Sequence, residues 1–206
     1  RYPERIDASR TYTNWGPLAA ELELRLAALF GVGAGSVVSS NSGTSAVVGA
    51  ILGAAGRATS DRPLAIVPAY TFVATPLAAE QCGFRPHVVD VDPESWQVQA
   101  DALDGHPLLA KVGVVIPVAP FGKAVPLAPW IDFQRRTAIP VVIDGGASFD
   151  AACRDPAEYV GNVPAALSFH ATKSFSTAEG GCVITTDKQL AERVNPVHVA
   201  LVIDSG

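Results

Sequence analysis

The chain has 206 residues, of which 49% are hydrophobic and 17% charged, and its formal net charge is −5 at pH 7. This composition is typical of a globular protein and excludes a disordered or fibrous one, while the acidic balance excludes the basic footprint of a nucleic-acid-binding protein. The longest nearly uncharged apolar stretches, residues 46–56 and 112–122, are shorter than the roughly 18 residues of a membrane span. We therefore expect a single soluble domain over residues 1–206, with neither nucleic acid nor membrane as a partner.

Three cysteines, Cys82, Cys153 and Cys182, lie far apart and lack a C-x-x-C spacing. This pattern favours buried free thiols in a reducing compartment over disulfides or a metal site. We expect a cytoplasmic protein without a bound metal. The sequence has no signal peptide at its start and no methionine, so we expect the natural chain to begin further upstream.

The first long predicted helix follows the turn-rich segment Asn14-Trp15-Gly16-Pro17, where Pro17 can occupy the first helical position. Apolar residues then recur every three or four positions, which predicts one buried helix face. That face comprises Leu18, Leu22, Leu26, Leu29 and Phe30.

Residues 31–35 read Gly-Val-Gly-Ala-Gly. A dinucleotide-binding loop must follow a strand and open a helix, whereas this segment follows a helix and leads into a short predicted strand at Val37 and Val38. We interpret it as a linker, which argues against a nicotinamide-dependent oxidoreductase.

A turn of small residues, 39–45, precedes the almost wholly apolar run 46–55. Such a turn leaves free N–H groups at the positive end of a helix, where phosphate binds. Gly43 and Thr44 are therefore candidate phosphate ligands. The alternative is plain helix capping by Ser42 or Thr44.

Apolar strands predicted at 64–67, 87–91, 112–118 and 140–143 alternate with helices at 77–82 and 127–137. This alternation predicts an α/β fold with a mostly parallel sheet covered by helices on both faces. Ligands of such sheets bind beyond the carboxyl ends of the strands, where Asp144 lies. A turn-forming aspartate is the alternative interpretation of Asp144.

A further strand, 164–169, runs into a polar turn that holds Lys173 among hydroxyl side chains. The turn leads through Glu179-Gly180-Gly181 into a strand at 183–186 and a helix at 187–194 capped by Asp187. Partial burial turns a lysine amine into a nucleophile. A solvated loop lysine is the alternative.

The stretch Ser168-Phe169-His170-Ala171-Thr172-Lys173, followed by the Glu-Gly-Gly step, closely resembles the Schiff-base segment of the DegT/DnrJ/EryC1/StrS sugar aminotransferases. Ser42-Gly43-Thr44 and Pro68-Ala69-Tyr70-Thr71-Phe72 are similar to two further motifs of this family. The resemblance covers residues 12–194, leaves 195–206 unassigned, and implies the large domain of a fold-type I pyridoxal-phosphate enzyme. We expect the small C-terminal domain of the family to be absent from this chain.

The resemblance implies a role for each matching residue toward pyridoxal 5'-phosphate. Lys173 would hold the cofactor and transfer protons, Asp144 would pair with the pyridine nitrogen, and Phe72 would cover the ring. Gly43, Thr44 and Ser168 would bind the phosphate. Asn14 and Trp15 are candidate substrate contacts, with packing as the alternative for Trp15.

One position departs from the family pattern. Family members carry Gln or His three residues after the aspartate, where this chain has Ala147, so a hydrogen bond to the cofactor ring hydroxyl is lost. Related sugar dehydratases carry His at the position of Lys173, so the lysine favours transamination.

The predicted function is transfer of an amino group from an amino-acid donor, glutamate or glutamine, to a keto sugar that we expect to be nucleotide-linked. The resemblance also implies a homodimer. The alternative is a truncated or degenerate non-catalytic domain that serves as a structural or regulatory partner.

Overall fold

The computed structural model describes residues 2–12 and 15–203. These residues form seven α-helices: α1 (Tyr2–Ser9), α2 (Pro17–Leu29), α3 (Gly43–Ala54), α4 (Ala74–Gln81), α5 (Leu127–Thr137), α6 (Phe149–Arg154) and α7 (Lys188–Ile203). The strands are β1 (Val37–Ser40), β2 (Leu64–Pro68), β3 (Arg85–Val89), β4 (Val112–Val115), β5 (Ile143–Asp144), β6 (Ala165–Ser168) and β7 (Gly181–Ile184). None of the helices in the described ranges has the length and apolar character needed to cross a bilayer.

The strands form one layer in the order β3-β2-β4-β5-β6-β7-β1. β3, β2 and β4 pair in parallel, and so do β5 and β6, while β7 runs antiparallel to both β6 and β1. Parallel bridges from Val115 to Val141 and from Val118 to Asp144 join the two halves. The carboxyl ends of six strands therefore lie at the same edge, and the mostly parallel sheet predicted from the sequence is confirmed.

Helices cover both faces of this sheet. Side chains alternate along each strand, so that Leu64 and Ile66 of β2 enter one buried cluster with α2, α5 and α6. Ala65 and Val67 enter a second cluster with α3, α4 and α7. The result is the three-layer α/β arrangement that the alternating pattern predicts.

Helix starts follow local chemistry. Pro17 is the first residue of α2, as predicted, because the first turn needs no N–H from it. The Asp187 carboxylate accepts the N–H of Leu190 at 3.0 Å and caps α7, also as predicted. α5 has the predicted bounds.

Several strand ends differ from prediction. β3 spans Arg85–Val89 rather than 87–91, because Asp92 accepts the N–H of Ser95 at 2.7 Å and turns the chain away. β4 ends at Val115 rather than 118, because Pro117 has no N–H for the ladder. β5 spans Ile143–Asp144 rather than 140–143, and Pro140 likewise has no N–H to donate to the ladder.

Two helix predictions were also wrong in extent. α4 begins at Ala74, earlier than the predicted 77, because Pro76 is tolerated within a first helical turn. α7 continues to Ile203 although Pro196, a residue that usually ends helices, lies within it.

In α2, Leu29 is 49% exposed rather than buried, since Leu26 and Phe30 fill the face toward the sheet.

The cysteines are free thiols, as predicted, but they are not all buried. Burial raises the pKa of Cys82 to about 12 and raises that of Cys182 still further. Cys153 is only half-buried, and desolvation and then Asp150 raise its pKa less. The predicted burial is therefore wrong for Cys153.

Candidate functional site

The candidate phosphate site lies where the first turn of α3 meets the end of β6. The Ser42 hydroxyl caps α3 by accepting the N–H of Ser45 at 3.1 Å. Capping therefore occurs alongside the proposed phosphate role rather than in place of it. No described residue accepts a hydrogen bond from the N–H of Gly43 or Thr44, which leaves two donors at the positive end of a twelve-residue helix.

Gly43 packs directly against Ser168. A Cβ atom at position 43 would lie 2.5 Å from the Ser168 Cβ and 2.7 Å from its Oγ. Only glycine allows this approach, which brings the Ser168 hydroxyl beside the free N–H groups of α3. The structure thus brings together the three residues that the sequence assigned to phosphate.

Asp144 lies at the carboxyl end of β5, half-buried, with a donor on each carboxylate oxygen. The hydroxyl of Thr75 donates to Oδ2 at 2.6 Å, and the N–H of Gly146 donates to Oδ1 at 3.0 Å. A Cβ at position 146 would lie 3.1 Å from Oδ1 and 3.9 Å from the Ser168 Cβ. The carboxylate is therefore close to the phosphate corner, by which we mean Gly43, Thr44 and Ser168. The bond from Gly146 is the local turn bond that the alternative interpretation describes, and the bond from Thr75 is an additional, long-range one.

Thr75 was not identified as a site residue from the sequence. It is fully buried in the first turn of α4 and lies 2.6 Å, oxygen to oxygen, from Thr71. Thr71 precedes α4, so the two hydroxyls meet across the turn before the helix, and no helical spacing predicted their contact. The bond from Thr75 to Asp144, 69 residues further along the chain, has no local sequence signal.

Lys173 lies in the loop 169–180, which follows β6 at the same edge of the sheet, and it is half-buried. The N–H of Phe169 donates to the Gly180 carbonyl at 2.8 Å, closing the base of the loop. Phe175 stacks on Phe149 with ring centroids 4.2 Å apart, which anchors the loop to the core. The N–H of Lys173 donates to the His170 carbonyl at 2.9 Å, so the lysine backbone is fixed within a turn.

The remaining predicted residues have different surroundings. Phe72 is 75% exposed between β2 and α4, so its ring presents a free flat surface at the carboxyl edge. Trp15 is exposed, and its Nε1–H donates to the Asn195 Oδ1 at 2.6 Å, so it is not a buried packing residue. Asn14 lies outside the described residues. Ala147 is exposed and brings no polar side chain to the site.

An exposed aromatic cluster, formed by Tyr70, Trp96 and Phe121, was also missed from the sequence. Ring centroids are 5.2 to 6.1 Å apart. The three rings come from segments that follow β2, β3 and β4, so they lie at the same edge as the phosphate corner. Trp96 and Phe121 have φ values of 61° and 52°, a strained region for bulky residues that is often found at functional sites.

The chain belongs to the DegT/DnrJ/EryC1/StrS aminotransferase family, whose model matches residues 2–200. The match is longer than the resemblance over 12–194 expected from the motifs, and it includes the first six of the residues left unassigned.

Several relatives and similar structures are aminotransferases, which is consistent with this assignment. The chain is 29% identical over 196 residues to the dTDP-4-amino-4,6-dideoxy-D-glucose transaminase of Shigella dysenteriae, covering 94% of this chain and 51% of that protein. It is similar to the structure of a putative PLP-dependent aminotransferase from Bacillus cereus, with 27% identity, a TM-score of 0.78, and coverage of 94% and 52% of the two chains. It is also similar to DesI solved in the presence of its TDP-sugar product, with 27% identity, a TM-score of 0.75, and coverage of 93% and 47%.

The chain spans about half the length of the curated relatives it matches. Its topology and its likeness to these aminotransferases confirm the predicted fold-type I large domain.

Proposed function

We propose that the chain is the cofactor-binding part of a pyridoxal-phosphate-dependent enzyme that transfers an amino group from glutamate or glutamine to a nucleotide-linked keto sugar. The observation that carries this proposal is the convergence of the Gly43–Ser168 contact, Asp144 and Lys173 at one edge of the sheet. The names of the transaminase from Shigella dysenteriae and of the product-bound DesI support the sugar substrate.

The phosphate corner fits a phosphate monoester. The N–H groups of Gly43 and Thr44 point out of the helix start, where the macrodipole favours an anion. The Ser168 hydroxyl adds a neutral donor, and the missing Cβ of Gly43 keeps it within reach. We propose that these three residues bind the cofactor phosphate.

The carboxylate of Asp144 fits the pyridine nitrogen. When bound, pyridoxal phosphate supplies an electron sink for bond cleavage next to the amine, and its ring must be protonated at nitrogen to serve well. Asp144 accepts hydrogen bonds at both oxygens, which fix the orientation of the carboxylate, and we propose that it would pair with the ring nitrogen. We propose that Phe72 covers one face of the ring and excludes water from it.

Lys173 has two proposed tasks. Its amine would be the residue that holds the cofactor, and once free it would serve as the general base and acid that takes and returns a proton. The bonds and ring stacking that anchor the loop 169–180 fix the Lys173 backbone in the loop that follows β6.

The aromatic cluster suits a large substrate. Exposed rings at the carboxyl edge offer stacking surfaces for a nucleotide base or a sugar ring. We propose that Trp96 and Phe121 contact the nucleotide-linked substrate, while Asn14 and Trp15 remain candidate contacts to the sugar.

Two further proposals concern the cellular compartment and the oligomeric state. Free cysteines support the reducing cytoplasm as the compartment. We also propose a homodimer that completes the site across its interface. Sedimentation at micromolar concentration tests the dimer, and a strict monomer that retains full cofactor binding and activity would contradict it.

Borohydride reduction tests the central proposal. Reduction of the loaded chain should fix pyridoxal phosphate to the single peptide that contains Lys173, and Lys173→Ala should abolish the label. Label on Lys111 or Lys123 instead would show that the site is assigned wrongly. Attachment at Lys173 without conversion by any amino donor, in the full-length natural protein, would favour the non-catalytic alternative.

A further inference from the structure

We infer that Thr75 is a positioning residue that orients the Asp144 carboxylate toward the cofactor ring, with Thr71 as its hydrogen-bond partner. This inference rests on the proposed function, because it assigns Thr75 a role toward the same cofactor.

The directions of the hydrogen bonds follow from their chemistry. An ionised carboxylate only accepts, so the Thr75 hydroxyl donates its proton to Asp144 Oδ2 at 2.6 Å. Because the only hydroxyl hydrogen of Thr75 is used in that bond, its oxygen accepts a hydrogen bond from the Thr71 hydroxyl, which lies 2.6 Å away. The alternative acceptor for Thr71, the Phe72 carbonyl, is 3.3 Å away and is less favourable.

The burial of Thr75 favours one orientation of the Asp144 carboxylate. Thr75 is inaccessible to solvent, so water cannot replace Asp144 as its acceptor. A buried hydroxyl without a partner is destabilising, so the Thr75 bond favours the one orientation of Asp144 that keeps it. The Gly146 N–H holds the other oxygen, and the carboxylate is therefore fixed between α4 and the turn after β5.

The same segment links two predicted ring contacts. Thr71, Phe72 and Thr75 belong to one short turn, in which the Thr75 N–H donates to the Phe72 carbonyl at 3.1 Å. A shift of this turn would therefore move both the aromatic ring and the hydroxyl that orients Asp144. The geometry assigns the turn 71–75 a combined task in placing the cofactor ring.

The test uses the chain loaded with pyridoxal phosphate that carries ¹⁵N at the ring nitrogen. The ¹⁵N chemical shift distinguishes a protonated from a neutral nitrogen and is followed from pH 6 to pH 9 in the unsubstituted chain, Thr75→Val and Thr75→Ser. Thr75→Val keeps the shape but removes the donor, so its ring nitrogen should lose the proton at lower pH than that of the unsubstituted chain. Thr75→Ser keeps the hydroxyl and should restore the original profile.

Thr185→Val is the matched control. Thr185 is also fully buried, but its hydroxyl bonds to the Gly161 carbonyl and the Asp187 N–H beyond the opposite end of β7. Its substitution should leave the ¹⁵N profile unchanged. In an active preparation, Thr75→Val should also slow the amino-donor half-reaction about ten- to a hundredfold, as expected for a lost hydrogen bond to a charged group, with little change in KM.

The outcomes separate the two proposals. If the unsubstituted chain does not take the cofactor at Lys173, the proposed function fails. If it does, and Thr75→Val has the same ¹⁵N profile as Thr185→Val, only the role of Thr75 is overturned. Should Thr75→Val not fold, Thr75→Cys, which keeps a small side chain with a weak donor, carries the same comparison and must show an intermediate profile.

Discussion

Gly43 and Ser168 are in such close contact that a methyl group on the glycine would lie 2.5 Å from the serine Cβ. The contact joins the start of α3 to the end of β6, two elements separated by more than a hundred residues of sequence. It sets the distance between the free N–H groups of the helix and the serine hydroxyl. The proposed phosphate site therefore depends on a missing side chain as much as on the residues present.

Gly43→Ala should weaken cofactor binding sharply. The added methyl forces α3 and β6 apart, which separates the N–H donors from Ser168 and removes hydrogen bonds to a charged ligand worth about 1.5–3 kcal/mol each. The measurement is the dissociation constant of pyridoxal phosphate by equilibrium dialysis, which should rise at least tenfold.

Gly53→Ala provides the matched control for this substitution. Gly53 lies in the same helix, and a Cβ there would be 2.6 Å from the Val194 Cγ2, so it also causes overpacking. It should lower the free energy of unfolding while leaving cofactor affinity largely intact in the folded fraction. Equal losses of affinity in both variants would show that Gly43 acts only through general stability.

Asp144→Asn should separate binding from chemistry. The amide preserves size and leaves Lys173 and the phosphate corner in place, so the cofactor should still be retained. A neutral partner cannot hold the ring nitrogen protonated, so the half-reaction with glutamate or glutamine should slow by orders of magnitude. Stopped-flow absorbance of the lysine-bound cofactor measures this rate, and equal rates in both proteins would remove Asp144 from the mechanism.

Phe121→Gly should reduce substrate affinity with little effect on stability. The ring is 77% exposed, so its removal loses little burial. Glycine relieves the positive φ of 52°, worth about 1 kcal/mol, but this is offset by its greater freedom in the unfolded chain. Loss of a stacking surface should weaken binding of a nucleotide-linked sugar by about 1–3 kcal/mol, as measured by calorimetry.

Ala138→Gly serves as the control for backbone strain. Ala138 has a φ of 55° at the end of α5 and carries no ring. Its substitution should leave sugar affinity unchanged. If Phe121→Gly binds the sugar as well as Ala138→Gly does, the aromatic cluster is not part of the substrate site.

The parts of the fold that the sequence predicts are those set by local chemistry. The α5 helix, the proline start of α2 and the aspartate cap of α7 depend on neighbouring residues, and each was predicted correctly. Strand ends differ from the prediction where Asp92 accepts the N–H of Ser95 and where Pro117 lacks an N–H for the strand ladder. The hydropathy pattern carries little information on these local hydrogen bonds.

The site was only partly predictable for a related reason. Gly43 was identified from its place at a predicted helix start and Ser168 by resemblance, and the structure adds that they are in contact. Thr75 and the aromatic cluster depend on the tertiary approach of separate loops, which no spacing along the chain indicates. Their importance stays a prediction.

The buried thiol of Cys82 should make stability depend on alkaline pH. In the unfolded chain a cysteine has a pKa of about 8.5, whereas burial raises the pKa of Cys82 to about 12 in the folded chain. Between these values the unfolded state releases a proton that the folded state keeps, so the free energy of unfolding falls as the pH rises. The limiting slope for one thiol is about 1.4 kcal/mol per pH unit.

Urea unfolding of the unsubstituted chain and of Cys82→Ala between pH 8 and pH 10.5 measures this slope. The alanine variant loses packing at every pH, so the comparison concerns the change with pH rather than the absolute free energy. Its decline should be shallower, because the thiol no longer titrates in the unfolded state. Cys153→Ala, at a half-buried thiol whose pKa is raised less, should change the slope less than Cys82→Ala does. Identical slopes in the unsubstituted chain and Cys82→Ala would show that the folded state lets this thiol ionise as readily as the unfolded one does.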